Sequence, residues 1–262
     1  MRALSMMPPA DARGFVGVLF DLDDTVLSHG VLTREAYDAI WSLHEAGLRL
    51  VAVTGRPSGW GEVIARQWPI DGAVTENGAV HVVRDGKGVA LSFDGDATAV
   101  AERRARLDDL VRVVAKAMPS VKLADDVHAR RSDVAWDIGE RERLEPGAIA
   151  ELASLVVTNG ARTTRSSVHL HASYERDDKA SGAIRFVHGR FGDDEGAALH
   201  RWAFVGDSGN DAACFAAFKN TFGVENVRAY ARVLSVPPRW VAPSKRGAGF
   251  AEIAKAIIAS RW

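Results

Sequence analysis

The chain has 262 residues, of which 47% are apolar and 26% charged, with a formal net charge of −1. This balance excludes a disordered chain and gives no electrostatic reason to expect nucleic acid or an anionic membrane as a partner. The length fits one large α/β domain or a core domain carrying a smaller insert.

No apolar run approaches the ~20 residues of a bilayer span, and Met1–Gly14, with Pro8-Pro9, reads as irregular and lacks the apolar segment of a secretion signal. The single cysteine, Cys214, cannot form an internal disulfide and suits a reducing compartment, so the expected location is cytoplasmic. Its surroundings, Ala212-Ala213-Cys214-Phe215-Ala216-Ala217, mark it as a small buried residue.

Along the chain, Val16–Phe20 reads as a strand buried on both faces, as in a parallel sheet. Thr33 caps a helix whose apolar face holds Ala36, Tyr37, Ile40 and Leu43, and Gly47 ends it. Leu48–Val53 is the next strand, followed by a helix over Ser58–Gln67 and a short strand near Ala73-Val74. This β-α-β-α-β run predicts a doubly wound sheet.

The rhythm then changes. His81–Arg84, the turn Asp85-Gly86 and Gly88–Leu91 read as a hairpin. A long amphipathic helix over Ala97–Met118 follows, then strands at Val121–Leu123 and Val134–Ile138, a helix over Pro146–Val157, and a strand at Ser167–His171. These predict an α+β insert over residues 81–172, between core segments 1–80 and 173–262. The core resumes with a helix over Lys179–Phe191, a strand over Trp202–Gly206, a helix over Asp211–Phe218, short strands at Asn220–Val224 and Arg239–Ala242, and a closing helix over Gly249–Ser260.

Open parallel sheets bind ligands at the carboxyl ends of their strands. Three predicted strands end there in reactive residues: Phe20 runs into Asp21 and Asp23, Val53 into Thr54, and Val205 into Gly206-Asp207. The fold would bring Asp21, Asp23, Thr54, Asp207 and Asp211 to one rim, with Lys179 at a helix start nearby. Several carboxylates on one rim need a cation, and hard oxygen ligands favour Mg²⁺. A lysine, a hydroxyl and free amides suit phosphate oxygens.

Asp21-Leu22-Asp23-Asp24-Thr25, Thr54-Gly55-Arg56, Lys179 and Gly206-Asp207-Ser208-Gly209-Asn210-Asp211 resemble, in order and spacing, the four signature motifs of the haloacid dehalogenase-like superfamily. The insert and Glu76-Asn77-Gly78-Ala79 resemble the subgroup with an α/β cap of type IIB, or Cof-like, which includes phosphatases of sucrose phosphate and mannosyl-phosphoglycerate. The resemblance implies a Rossmann-like core with a C2 cap. It implies Asp21 as nucleophile and Asp23 as acid and base. Thr54, Gly55, Lys179 and Asn210 would hold the phosphoryl group. Mg²⁺ would sit on Asp21, the Asp23 carbonyl, Asp207 and Asp211. The partner expected is a small phosphorylated molecule, a sugar phosphate before others, and the chain is expected as a monomer or homodimer. A phosphosugar mutase and a silent ligand-binding member of the fold are the alternatives. Many relatives carry glycine at the position of Asp24, and the consequence of the extra carboxylate is left open by the sequence.

Other polar features read more blandly. His169-x-His171 puts two imidazoles on one face of a strand, which reads as exposed. Arg130-Arg131 and Arg103-Arg104-Ala105-Arg106 read as solvated, Trp60 and Trp136 as packing, and Asn77 equally as a turn former or a ligand.

Overall fold

The side-by-side order of strands in the main sheet is Arg2–Ala3, Trp240–Val241, Asn220–Gly223, Trp202–Gly206, Gly17–Phe20, Arg49–Val53, Gly72–Thr75, Val80–Asp85 and Gly88–Phe93. It comes from a computed structural model that describes residues 1–166 and 168–261. The strands from Arg2–Ala3 to Gly72–Thr75 pair in parallel, and the last two add antiparallel. The central strands Gly17–Phe20 and Trp202–Gly206 are buried along their whole length, as a sheet covered on both faces requires.

The two covers are distinct apolar layers. On one face Phe20, Leu50 and Ala52 pack with the helices Arg34–Glu45, Ser58–Gln67 and Arg246–Ala259 through Ile40, Leu43, Ile64, Phe250 and Ile253. On the other, Leu19, Val51 and Phe204 pack against Phe186, Val187 and Phe215 of Lys179–Phe191 and Ala212–Ala217. The Thr33 hydroxyl accepts the Ala36 N–H, as its position before the helix predicts. The doubly wound α/β core is therefore observed.

Three expectations change. The hairpin expected to open the insert extends the core sheet, because Thr75 pairs with Val80 across a four-residue turn and nothing separates the strands. The separate layer consequently starts after residue 93, not at 81. It comprises the helices Ala97–Ala117 and Pro146–Thr158 on a three-stranded antiparallel sheet in the order Arg162–Arg165, His169–Ser173, Asp133–Asp137. Arg162–Arg165 is a strand that its polar composition conceals; Ser167, in the strand expected at Ser167–His171, lies outside the described residues. The predicted strand Val121–Leu123 is reduced to one bridge, Leu123 to Trp136. Finally, the amino-terminal segment is not irregular throughout: Arg2–Ala3 pairs with Trp240–Val241 and Pro9–Ala12 forms a helical turn. The insert has its own core, centred on Leu107, Leu110, Val114, Trp136, Leu152 and Leu170.

One close approach positions the site. Glu76, Asn77 and Gly78 follow Gly72–Thr75 with φ of 51°, 56° and 110°, a left-handed run that turns the chain sharply back. It lies directly against the first turn of Lys179–Phe191: a Cβ on Gly182 would stand 2.4 Å from the Gly78 Cα, and one on Gly78 would stand 2.1 Å from the Asp178 carbonyl oxygen. Both neighbours are backbone and cannot move aside. We predict that Gly182→Ala destabilises the protein by about 1–3 kcal/mol, the range for forced overpacking. Urea unfolding should show a lower midpoint with an unchanged slope; a wild-type midpoint would show that this contact is not tight.

Candidate active site

Asp21 follows Gly17–Phe20, Asp207 follows Trp202–Gly206, and Asp211 lies one helical turn further on. Adjacent parallel strands bring the first two side by side, since Phe20 is in register with Val205. One oxygen from each of the three carboxylates lies within 4.8 Å of the others. Lys179, at the start of its helix, donates from Nζ to Asp21 Oδ1 at 2.7 Å and to Asp211 Oδ1 at 2.8 Å. Asp211 Oδ2 accepts the backbone N–H of Asp207 at 2.9 Å and of Ser208 at 3.2 Å. Gly206 makes this possible: a Cβ there would stand 2.5 Å from Asp211 Oδ2.

The four charged groups are almost fully buried, and their charges do not balance. Burial pushes the Asp21 carboxyl up to about 7; Lys179 opposes this, while Asp211 and Asp23 add to it. Burial, then Asp211 and Asp21, push Asp207 up to about 9. Burial would lower Lys179, but the charges of Asp21 and Asp211 hold it above the ordinary lysine value. Asp21 Oδ2 is buried with no hydrogen-bond partner among the described residues. An orphaned carboxylate oxygen, surplus negative charge and an all-oxygen donor set fit a hard divalent cation.

The structure gathers most of the expected residues here, with two qualifications. The Asp23 side chain is not one of the three clustered carboxylates and is gripped by Arg56, whose Nε lies 3.0 and 2.9 Å from its two oxygens. Arg56 in turn lies 3.9 Å over the Trp60 ring, so Trp60 stacks on a cation at the site's edge instead of packing in the core. Thr54 is fully buried and its hydroxyl accepts the Arg56 N–H at 3.1 Å; Gly55, not Thr54, borders the open cleft. Asn210 borders it as well, its Oδ1 accepting from Ser208 Oγ at 2.8 Å. Asn77, with its side chain 3.0 Å from where a Gly55 Cβ would be, is both turn former and cleft wall.

Asp24 is explained by its backbone. Its φ of 55° is left-handed, which glycine adopts freely. Its side chain leaves the site to accept from Arg246 Nε at 2.6 Å.

Sequence reasoning missed Asn226 and Thr25. Asn226 Nδ2 donates to Asp207 Oδ2 at 2.7 Å and to the Asp24 carbonyl at 3.0 Å, while Thr25 Oγ1 lies 3.4 Å from Asp207 Oδ1. Thr25 was within reach as a neighbour of the acidic knot, but nothing local marks Asn226. The larger omission concerns the insert. Glu76 is buried, and its carboxylate accepts the N–H groups of Ser58 in the core and of Arg131, Ser132 and Asp133 in the insert, at 2.6 to 3.1 Å. Burial and Asp133 push its carboxyl up to about 7 against those donors. Arg130 is not solvated: it is buried, and Nη1 donates to the Gly55 carbonyl at 3.1 Å. His171 is likewise buried, contrary to the exposed strand face expected of His169-x-His171.

Between core and insert lies a cleft with two lobes of about 420 and 270 Å³. Asp21, Asp23 and Arg130 border the first, Lys179 and Glu76 the second, and Asn77, Asn210 and His171 both. With this geometry in view, the likenesses to other proteins can be placed. Residues 18–93 match the family model of haloacid dehalogenase-like hydrolases. The whole chain carries that fold. It superposes on a Thermoplasma acidophilum protein with a TM-score of 0.72 at 16% identity, covering 93% of this chain and 98% of that one. The sucrose-phosphatase of Synechocystis, solved with sucrose and phosphate, gives 0.64 at 16% identity with the same coverage. A phosphatase of this superfamily from Bacteroides thetaiotaomicron gives 0.62 at 20% identity, covering 96% and 98%. No curated protein matches the chain by sequence. No helix among the described residues is long and apolar enough to cross a membrane.

Two predictions follow from the site's charges. The pKa values of Asp21 and Asp207 in the fold stand above the ordinary 3.8, so their protonated forms favour the native state. That contribution is complete below the unfolded value and is lost as pH rises through about 7 for Asp21 and about 9 for Asp207. In EDTA the thermal midpoint should therefore fall between pH 6 and 9, and added Mg²⁺ should raise it more at pH 8.5 than at pH 6. A cation effect that is absent, or equal at both values, would count against this cluster as the binding site. Asp24→Gly should change stability by no more than about 1 kcal/mol, because relief of the left-handed backbone offsets a partly exposed ion pair. Its cation affinity should match wild type in a thermal-shift titration, and a tenfold loss would make Asp24 a ligand.

Proposed function

We propose that the protein is a cytoplasmic Mg²⁺-dependent phosphatase that hydrolyses a small phosphorylated metabolite, a sugar phosphate before others, through an aspartyl-phosphate. The observation that carries this reading is the Asp21 carboxylate: one oxygen is held by Lys179, and the other is buried at the cleft without a partner. A carboxylate so held is oriented but not saturated, which is what a nucleophile requires.

Asp21 attacks phosphorus, and the bond from phosphorus to the leaving-group oxygen breaks. Asp23 gives that oxygen a proton. Water then attacks the aspartyl-phosphate with its proton passing to Asp23, which releases phosphate and restores both carboxyl groups. Lys179 offsets the charge of the phosphoryl group, and the Gly55 and Asn210 edges of the cleft, backed by Thr54, orient it. Mg²⁺ held by Asp21, the Asp23 carbonyl, Asp207 and Asp211 would neutralise the repulsion between these carboxylates and the anionic substrate.

The grip of Arg56 on Asp23 bears on the acid step. Both Asp23 oxygens are engaged by the Arg56 guanidinium, so the pair has to open before one of them can reach the leaving-group oxygen. Entry of a phosphate monoester, which offers Arg56 another anion, supplies a reason for it to open.

The test is phosphate release from a panel of sugar phosphates and p-nitrophenyl phosphate, with Mg²⁺ or EDTA. We expect release only with the cation, none from Asp21→Asn, and a loss of about 10²–10⁴-fold in Asp23→Asn, the usual worth of a general acid. Release that survives in Asp21→Asn would remove the aspartyl-phosphate route.

A further inference from the structure

The two edges of the main sheet are protected unequally. One ends in Arg2–Ala3, a strand of two residues that offers little to a neighbour. The other ends in Gly88–Phe93, six residues long, whose main packing neighbours are the strand Val80–Asp85 and the helix Ser58–Gln67. Natural edge strands of this length are ordinarily blunted by a proline, a bulge or a charged side chain. Gly88-Val89-Ala90-Leu91-Ser92-Phe93 has no proline and no charge, and its register with Val80–Asp85 runs without a bulge.

The hairpin decides which backbone groups this edge offers. Gly86-Lys87 is a two-residue turn closed by Asp85 and Gly88, so that pair exchanges both of its hydrogen bonds, and every second pair does the same. Gly88, Ala90 and Ser92 therefore bond inward, while Val89, Leu91 and Phe93 turn their N–H and C=O groups outward. No hydrogen bond to those outward groups is found among the described residues. The side chains of the same three residues share one face and are only partly buried against the core.

A second copy of the strand fits this edge in one register. Antiparallel pairing has to set outward-facing residues opposite one another, and a two-fold axis at Leu91 does so. Leu91 then meets the partner's Leu91, and Val89 meets the partner's Phe93, which makes a continuous apolar ladder on one face. An axis at Ala90 would instead set Phe93 against the partner's Lys87. The charges agree with the axis at Leu91, which puts Lys87 opposite the partner's Gly95, between the partner's Asp94 and the partner's Asp96, twice by symmetry. Lys87 is exposed, and Asp94 uses its carbonyl within its own chain, accepting from Arg103 Nη2, so its carboxylate is left for a neighbour.

We propose that the protein self-associates through Gly88–Phe93, two copies of the strand pairing antiparallel about Leu91 and joining their sheets. The edge is complementary to itself in apolar pattern and in charge, which singles out a second copy over a strand of another protein. Six residues a side is far fewer than the about 20–30 of a standard interface, so the association is weak and follows concentration.

The test is sedimentation velocity on the full chain between ~1 and ~500 μM, where so small an interface assembles. Wild type should move from monomer toward dimer across that range. Lys87→Glu, at an exposed turn position, should raise the dissociation constant about tenfold, because it sets like charges together on both sides of the axis. Lys87→Glu/Asp94→Lys should restore the wild-type value. Ala90→Cys/Ser92→Cys should form a disulfide-linked dimer in oxidising buffer, since these two exposed residues stand opposite each other across the axis at Leu91. All three variants should keep the wild-type circular dichroism. A monomer at every concentration would overturn the proposal and leave the edge to a strand of another protein. A dimer indifferent to Lys87→Glu, or one that the paired cysteines do not link, would overturn this interface.

Discussion

Three buried carboxylates gathered around one lysine, which pairs with two of them, is the arrangement on which the rest of this structure depends. Like charges out of water repel, and each is costly to desolvate. Lys179 offsets part of that by touching Asp21 and Asp211 together. Backbone N–H groups of Asp207 and Ser208 saturate the second oxygen of Asp211, and Asn226 takes one of Asp207. What is left is one Asp21 oxygen with nothing to accept from. The fold thus concentrates its electrostatic deficit on a single atom that faces the cleft, where a cation would relieve it.

Keeping the lysine in place constrains residues far from the charges. Its helix can start where it does only because Gly78 and Gly182 let the left-handed run at 76–78 approach backbone to backbone. The same run throws Glu76 toward the insert, where its carboxylate collects N–H groups from both layers. A left-handed non-glycine residue costs roughly 1–2 kcal/mol, a strain that persists because tight packing on one side and four hydrogen-bonding residues on the other leave no alternative path. One short turn therefore sets both the height of the buried lysine and the seat of the insert.

Much of the core was readable from sequence because its signals are local. A run such as Gly17–Phe20, buried on both faces, is apolar throughout, and the helices Ser58–Gln67 and Lys179–Phe191 have the bounds their patterns predict. The convergence of Asp21, Asp207, Asp211 and Lys179 was legible since strand ends of a parallel sheet share one rim. The insert was less legible for an equally physical reason. Arg162–Arg165 is an edge strand of polar residues, and the burial of Arg130, Asp133 and His171 depends on partners distant in sequence. A histidine two residues from another on a strand looks the same whether water or a carboxylate faces it. The hairpin at Val80–Asp85 and Gly88–Phe93 carries no mark of which sheet it joins; only the shortness of its link to Thr75 decides that.

The cleft divides labour along its axis. At the core end the groups are charged and mutually dependent, so substitution there propagates: moving Asp211 disturbs Lys179, and through it Asp21. At the insert end Asp133 is already paired, with Arg130 and with His171. The strong fields of the core end are thus separated from a wall whose charges are paired among themselves. The Glu76 carboxylate joins the two ends through backbone contacts alone, so side chains on the insert wall can vary without altering the link. A fold built this way can vary the insert wall of its cleft while the carboxylates at the strand ends stay where the sheet puts them.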